Sequence, residues 1–278
     1  MIRTRKHHRR NIGETTPWSR GRLLLMLGAL ASAIVLILVG GGLAVWQAAV
    51  RDAKPAPAAD GRQVTQSVDV PPSRDEIAAA PMATVDPQAA FHPDPATTPG
   101  GSLVVPQPLM LDGPAGVPSG FPHTFEGAVG QWAAIAKTVL ESMSLPRTRE
   151  IDAAWVQPGG PAFEEWTLTR NVTSFLTSAR QGSDEKDLTT VVSAAPAAGL
   201  VKGSDGSDWT VVCVLLDVQA WIKTESRMGY GLCSRMAWVE GRWQVAPGAE
   251  PAVAPSAWPG SNAAVAAGWL AWREGGAR

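Results

Sequence analysis

From Leu23 to Trp46 the chain runs for 24 residues without a charged side chain (LLLMLGALASAIVLILVGGGLAVW). As a helix at about 1.5 Å per residue it would span about 36 Å, enough to cross a hydrocarbon core of about 30 Å with some tilt. A single-pass transmembrane helix is therefore expected over residues 23–50. It divides the chain into a short basic part before it and a long part after it.

Residues 1–22 hold Arg3, Arg5, Lys6, Arg9, Arg10, Arg20 and Arg22 against Glu14 alone, a net charge of +6, so the near-neutral total of −1 leaves −7 for the rest. Lys/Arg excess beside a span marks the cytoplasmic side, which predicts a cytoplasmic tail over 1–22 and a C-terminal domain outside the cell membrane. Trp18 and Trp46, with Arg20 and Arg22, are expected at the membrane interface. A cleaved secretory signal would have an apolar core of only about 7 to 15 residues. Asn11, Ile12 and Gly13 follow Arg9-Arg10, and the apolar core starts a dozen residues later, which fits an inside-positive flank better than a twin-arginine signal. Membrane lipid is the expected partner of this part of the chain. Topology accounts for the basic tail, so no nucleic acid is expected there. Ala29, Ala33, Gly40 and Ala44 form a stripe of small residues that lets helices approach, which keeps a homo-oligomer open.

Residues 51–122 contain 14 of the 23 prolines, among Ala, Asp, Ser and Gly, with no sustained period of 2 or 3.6. Such a composition offers too little apolar surface to offset ordering entropy, and it predicts a disordered linker. Its apolar clusters, Leu103–Val105 and Leu109–Leu111, are candidates to dock on the domain or on a partner.

An α+β domain is expected over 123–278. Thr124 suits an N-cap with Glu126 in the first turn, and Phe125, Val129, Trp132, Ala136, Val139, Leu140 and Met143 form one helical face that Pro146 should end. A second helix is expected over 148–156, with Ile151 and Trp155 inward. A third should run from Pro161 towards Gly182. After Asp187 the period becomes 2: a short strand near 188–193, a long one over 209–222, then 228–239 joined to 242–246 through Glu240-Gly241. That turn sets Trp238 opposite Trp243 and Met236 opposite Val245. Ser261 should cap a last helix carrying Val265, Trp269 and Trp272. Helices, then an antiparallel meander, then a helix make α+β rather than alternating β/α.

Candidate chemistry is sparse. If Cys213 stands opposite Cys233, a cross-strand disulfide is possible; a tighter turn at 223–227 would set residue 213 opposite 237 and leave two buried free thiols. Neither cysteine has a histidine nearby, so no zinc site is expected. His7, His8, His92 and His123 show no spacing of a triad or a metal ligand set, and Asp217 and Glu225 are the remaining pocket candidates. No cofactor, metal or catalytic set is expected, and Trp221 and Trp258 are the better candidates for an exposed interaction surface.

The stretch Gly120-Phe121-Pro122-His123-Thr124 leading to Gly127-Ala128-Val129, and Cys233 with Met236, Trp238, Gly241, Arg242 and Trp243, resemble membrane proteins of actinobacterial conjugative elements. In layout the chain resembles the bitopic scaffolds of type IV secretion and conjugation machines, whose domain is nuclear-transport-factor-2-like. The resemblance implies helices packed as a cone on a curved antiparallel sheet. It also implies an interaction role among other envelope or transfer-channel proteins, and it carries over no catalytic residues. The other expectations are an extracytoplasmic small-ligand-binding or enzymatic domain with a cone-shaped pocket, and a cell-envelope or division accessory protein.

Overall fold

The computed structural model describes residues 71–276. The tail and span expected over 1–50 lie outside them. Among the described residues no helix is long and apolar enough to cross a membrane.

The described residues form an α+β unit in which helices pack on a curled, half-barrel sheet. The sheet is built from β1 (Ser102–Val105), β2 (Val191–Ser204), β3 (Trp209–Trp221), β4 (Glu225–Val239), β5 (Arg242–Val245) and β6 (Leu270–Glu274), in the order β1-β6-β2-β3-β4-β5. β2 to β5 are an antiparallel meander. β6 inserts between β2 and β1, antiparallel to the first and parallel to the second.

The expected linker over 51–122 is corrected for its described part. Residues 71–122 fold onto the domain, beginning with α1 (Arg74–Ala79), whose N-cap Ser73 forms a capping box with Glu76. Their own apolar content is low, yet Ala78, Ala90, Val105, Val117 and Phe121 are buried, because the sheet and the helices supply the opposing surface. Backbone bonds tie them to distant segments: Ala252 N–H donates to Ala78 C=O at 2.9 Å, and Trp258 N–H to Ala89 C=O at 2.6 Å. Leu103–Val105 docks on the domain as β1.

α2 (Phe125–Ser142) starts where Thr124 Oγ1 accepts from Gly127 N–H at 3.1 Å. Its end is not made by Pro146. Met143 turns the chain at φ 41, and Pro146 sits in the first turn of α3 (Leu145–Trp155), where a missing N–H costs nothing. α4 (Thr167–Ser178) begins six residues beyond Pro161, because its cap comes from far away: Glu250 accepts from Thr167 N–H and Oγ1, both at 2.6 Å. It ends before Gly182, with Arg180 taking the positive φ.

β2 is far longer than expected and carries irregularities between Pro196 and Ala198 and between Val201 and Gly203. Its small residues let α2 lie close: a Cβ on Gly199 would come within 2.8 Å of Val129. The last helix is also corrected. α5 (Asn262–Ala266), capped by Ser261, has five residues, Gly268 turns the chain at φ 86, and Trp272 belongs to β6.

Alternation along β3 sends Val212, Val214 and Leu216 into the main core with α2 to α4, around buried Trp132, Trp155, Trp166 and Trp243. The opposite face is buried as well. Cys213 and Leu215 pack with Ala254, Ala257 and Trp269, and Trp209 and Val211 pack with Ala78 and Ala246.

Candidate functional site

The free end of the sheet borders a cleft of about 850 Å³. β1 forms one side of it, through Leu103 and Val104, and Gly275 and Gly276 line it as well. The other side is built by residues 106–109 and by the approach to α2, through Leu109, Pro122, Thr124 and Glu126. Glu126 is the one ionisable side chain among the described residues that line it.

The walls are held by bonds from several elements. Met110 and Ser119 exchange both backbone bonds, at 3.0 and 2.8 Å, which closes the 110–119 loop. Trp155 Nε1 donates to Pro114 C=O at 3.0 Å and Gln131 Nε2 to Pro118 C=O at 3.0 Å. Pro122 C=O accepts from Thr124 N–H at 2.8 Å and from Trp243 Nε1 at 3.0 Å, and it lies where a side chain on Gly127 would collide with it. The cleft is thus preformed, and apolar side chains stand open around it: Val104 is 56% exposed, Leu109 86%, and Met110 and Leu111 follow.

The register sets Cys213 opposite Cys233, with Cα atoms 4.0 Å apart, and a disulfide joins them; the alternative pairing with residue 237 does not occur. Met82 covers the bridge, its Sδ 3.7 Å from Cys213 Sγ and 3.4 Å from Cys233 Sγ.

Trp221 is 53% exposed and stands opposite exposed Val191, with exposed Ile222 next to it. Trp258 is half-buried under the Arg227 guanidinium, whose Cζ lies 4.8 Å from its ring centre. The two tryptophans make no ring pair with each other. Trp18, Trp46, Arg20 and Arg22 lie outside the described residues. Asp217 does not line the cleft at β1; it accepts two bonds from Arg227, at 2.8 and 2.6 Å.

His123 has partners that local sequence could not show. Its ring stacks on Trp238 at 4.4 Å, meets the edge of Trp243 at 5.6 Å, and places Nε2 2.8 Å from Asp208 Oδ1. The only hint was the Trp238–Trp243 pairing, which makes an aromatic surface without saying what covers it. Groups with shifted ionisation lie apart from one another in role. Burial raises the Asp152 carboxyl, with Glu164 adding to it and Arg149 opposing, and burial also raises the Tyr230 hydroxyl, which donates to Asn171 at 2.9 Å. Burial lowers Lys202, whose Nζ donates to Ala78 C=O at 2.7 Å. Among the described residues no three His, Cys, Asp or Glu side chains are grouped to hold a metal ion.

Comparison with protein-family models, with curated proteins and with solved structures returned no match to this chain.

Proposed function

We propose that this chain is a membrane-anchored, extracytoplasmic interaction protein, a scaffold within a conjugative, type IV secretion-like envelope complex. The observation that carries the reading is what fills the space between helices and sheet: buried Trp132, Trp155, Trp166 and Trp243 pack there, whereas Val104, Leu109, Met110 and Leu111 stand exposed around the edge. A domain of this kind has more to offer a macromolecule than a small substrate. The disulfide supports an oxidising compartment, and the charged, uncharged and again charged run of residues 1–51 supports the orientation. On this reading the half-barrel with its helices is a nuclear-transport-factor-2-like cone.

The test is a crosslinking pull-down of the full-length protein from its native membrane, with partners identified by mass. Transfer-channel subunits, an ATPase motor among them, are the expected recovery; recovery of this chain alone overturns the proposal. A second reading, a small-ligand-binding domain, has the cleft of about 850 Å³ in its favour. Saturable uptake of a small molecule there, with no protein recovered, would select it.

A further inference from the structure

We propose that the open edge of β1 is a strand-addition site for an extended segment of a partner protein, apolar at alternate positions and carrying one Lys or Arg. The proposal rests on the interaction-protein reading and names the class of partner.

The hydrogen-bond pattern carries it. Gly101 C=O accepts from Ala271 N–H at 2.9 Å and Val105 C=O from Gly275 N–H at 2.7 Å, so the odd residues of this segment turn their backbone towards β6. Strand periodicity then turns the N–H and C=O of Ser102 and Val104 the other way. Among the described residues β1 is the last strand on that side of the sheet, and these groups meet no partner. Native proteins guard an open edge by keeping it short or with charge, proline, a bulge or a covering segment. β1 is short and Pro106 follows it, but Ser102-Leu103-Val104-Val105 itself carries no charge, proline or bulge, and it adjoins a preformed cleft.

The chemistry of the occupant follows. N–H and C=O groups alternating along about 13 Å of edge, at about 3.3 Å per residue, are matched by another extended backbone. Leu103, on the face of the main core, offers apolar contact to alternate side chains of the occupant, and Val104 stands on the opposite face. Glu126, the one ionisable group on the lining, selects a cation. A second copy of this chain is disfavoured, because the segment its edge would bring, residues 99–109, carries no Lys or Arg to meet Glu126.

The test uses the full-length protein in detergent micelles and a phage-displayed library of random dodecapeptides. The discriminating variant is Val104→Pro, which removes an N–H at the open edge while leaving the bonds to β6 untouched, a place where an edge strand accepts proline. Enriched peptides should alternate apolar residues, contain Lys or Arg, and bind the native protein at least about tenfold more tightly than the variant. Binding should also slow hydrogen exchange at Ser102 and Val104, and Glu126→Gln should remove the preference for Lys or Arg. Failure to enrich any peptide that distinguishes native protein from Val104→Pro overturns the proposal. So does concentration-dependent protection of Ser102 and Val104 without peptide, which would identify a second copy as the occupant. If the native-membrane pull-down recovers channel subunits equally with Val104→Pro, the edge proposal fails and the interaction reading stands; if it recovers none with either chain, both fall.

Discussion

Cys213 and Cys233 stand opposite each other in the register of the β3–β4 ladder. The bridge closes a span of 20 residues, and by its effect on the unfolded chain a loop of that size is worth about 3 kcal/mol. Urea denaturation with and without reductant should show a loss of that order, and an unchanged midpoint would mean that the ladder and Met82 do the work alone. Asp152 tests the opposite sign. Burial raises its folded value above the ordinary 3.8, and Oδ1 has no hydrogen-bond partner among the described residues. The folded protein therefore holds this proton more tightly than the unfolded chain. Stability is lost as pH rises from 3.8 through the folded value, and the cost is complete at neutral pH. Asp152→Asn should stabilise the protein by ~0.5 kcal/mol at pH 7. The gain should fade as a series of melts is taken down towards pH 4.

The Glu240-Gly241 turn connects the two strands whose pairing the sequence displays most openly. Both residues have positive φ, 52° and 79°, the type I′ geometry that matches the twist of a hairpin. An added Cβ on Gly241 would meet nothing within 4 Å, so Gly241→Ala isolates the backbone cost, expected at about 1 kcal/mol. Glu240→Asn should stabilise by about 0.5 kcal/mol, since Asn tolerates this region better. Thermal melts of both variants decide it; equal effects would point to lost side-chain contacts instead. β3 to β5 were legible because alternation and a two-residue turn are local signals, and the same holds for Thr124 and Ser261 as caps. β2 was hidden because Ser193-Ala194-Ala195-Pro196-Ala197-Ala198-Gly199 reads as loop, although small residues are what α2 needs beneath it. The start of α4 was hidden because its capping carboxylate, Glu250, lies 83 residues further on. The cleft was hidden for the same kind of reason: Leu103 and Leu109 stood out as apolar, but the edge of β1 exists only once β6 has paired with it.

At the scale of the whole described unit, the decisive element is the segment that composition assigned to a tether. A two-sided sheet needs cover on both faces, and the period of 2 along β3 advertises one apolar face while Cys213, Leu215, Val211 and Trp209 make the other. Part of that second face is closed by residues 71–95, through Ala78, Met82 and Val85, and α1 also brings Asp75 to within 2.7 Å of the buried Arg235 guanidinium. Linker composition fails as a guide here because a segment with few apolar residues of its own can be ordered by a surface that already exists. A chain starting at residue 71 should therefore unfold in one cooperative transition. A chain starting at residue 96 should lose at least about 3 kcal/mol from uncovered apolar surface, and more from an arginine left without its carboxylate. It should also bind a hydrophobic dye that the longer chain does not. Equal denaturation midpoints for the two chains would show that residues 71–95 only rest on the sheet, and the boundary of the folded unit would then move back towards the start of β1.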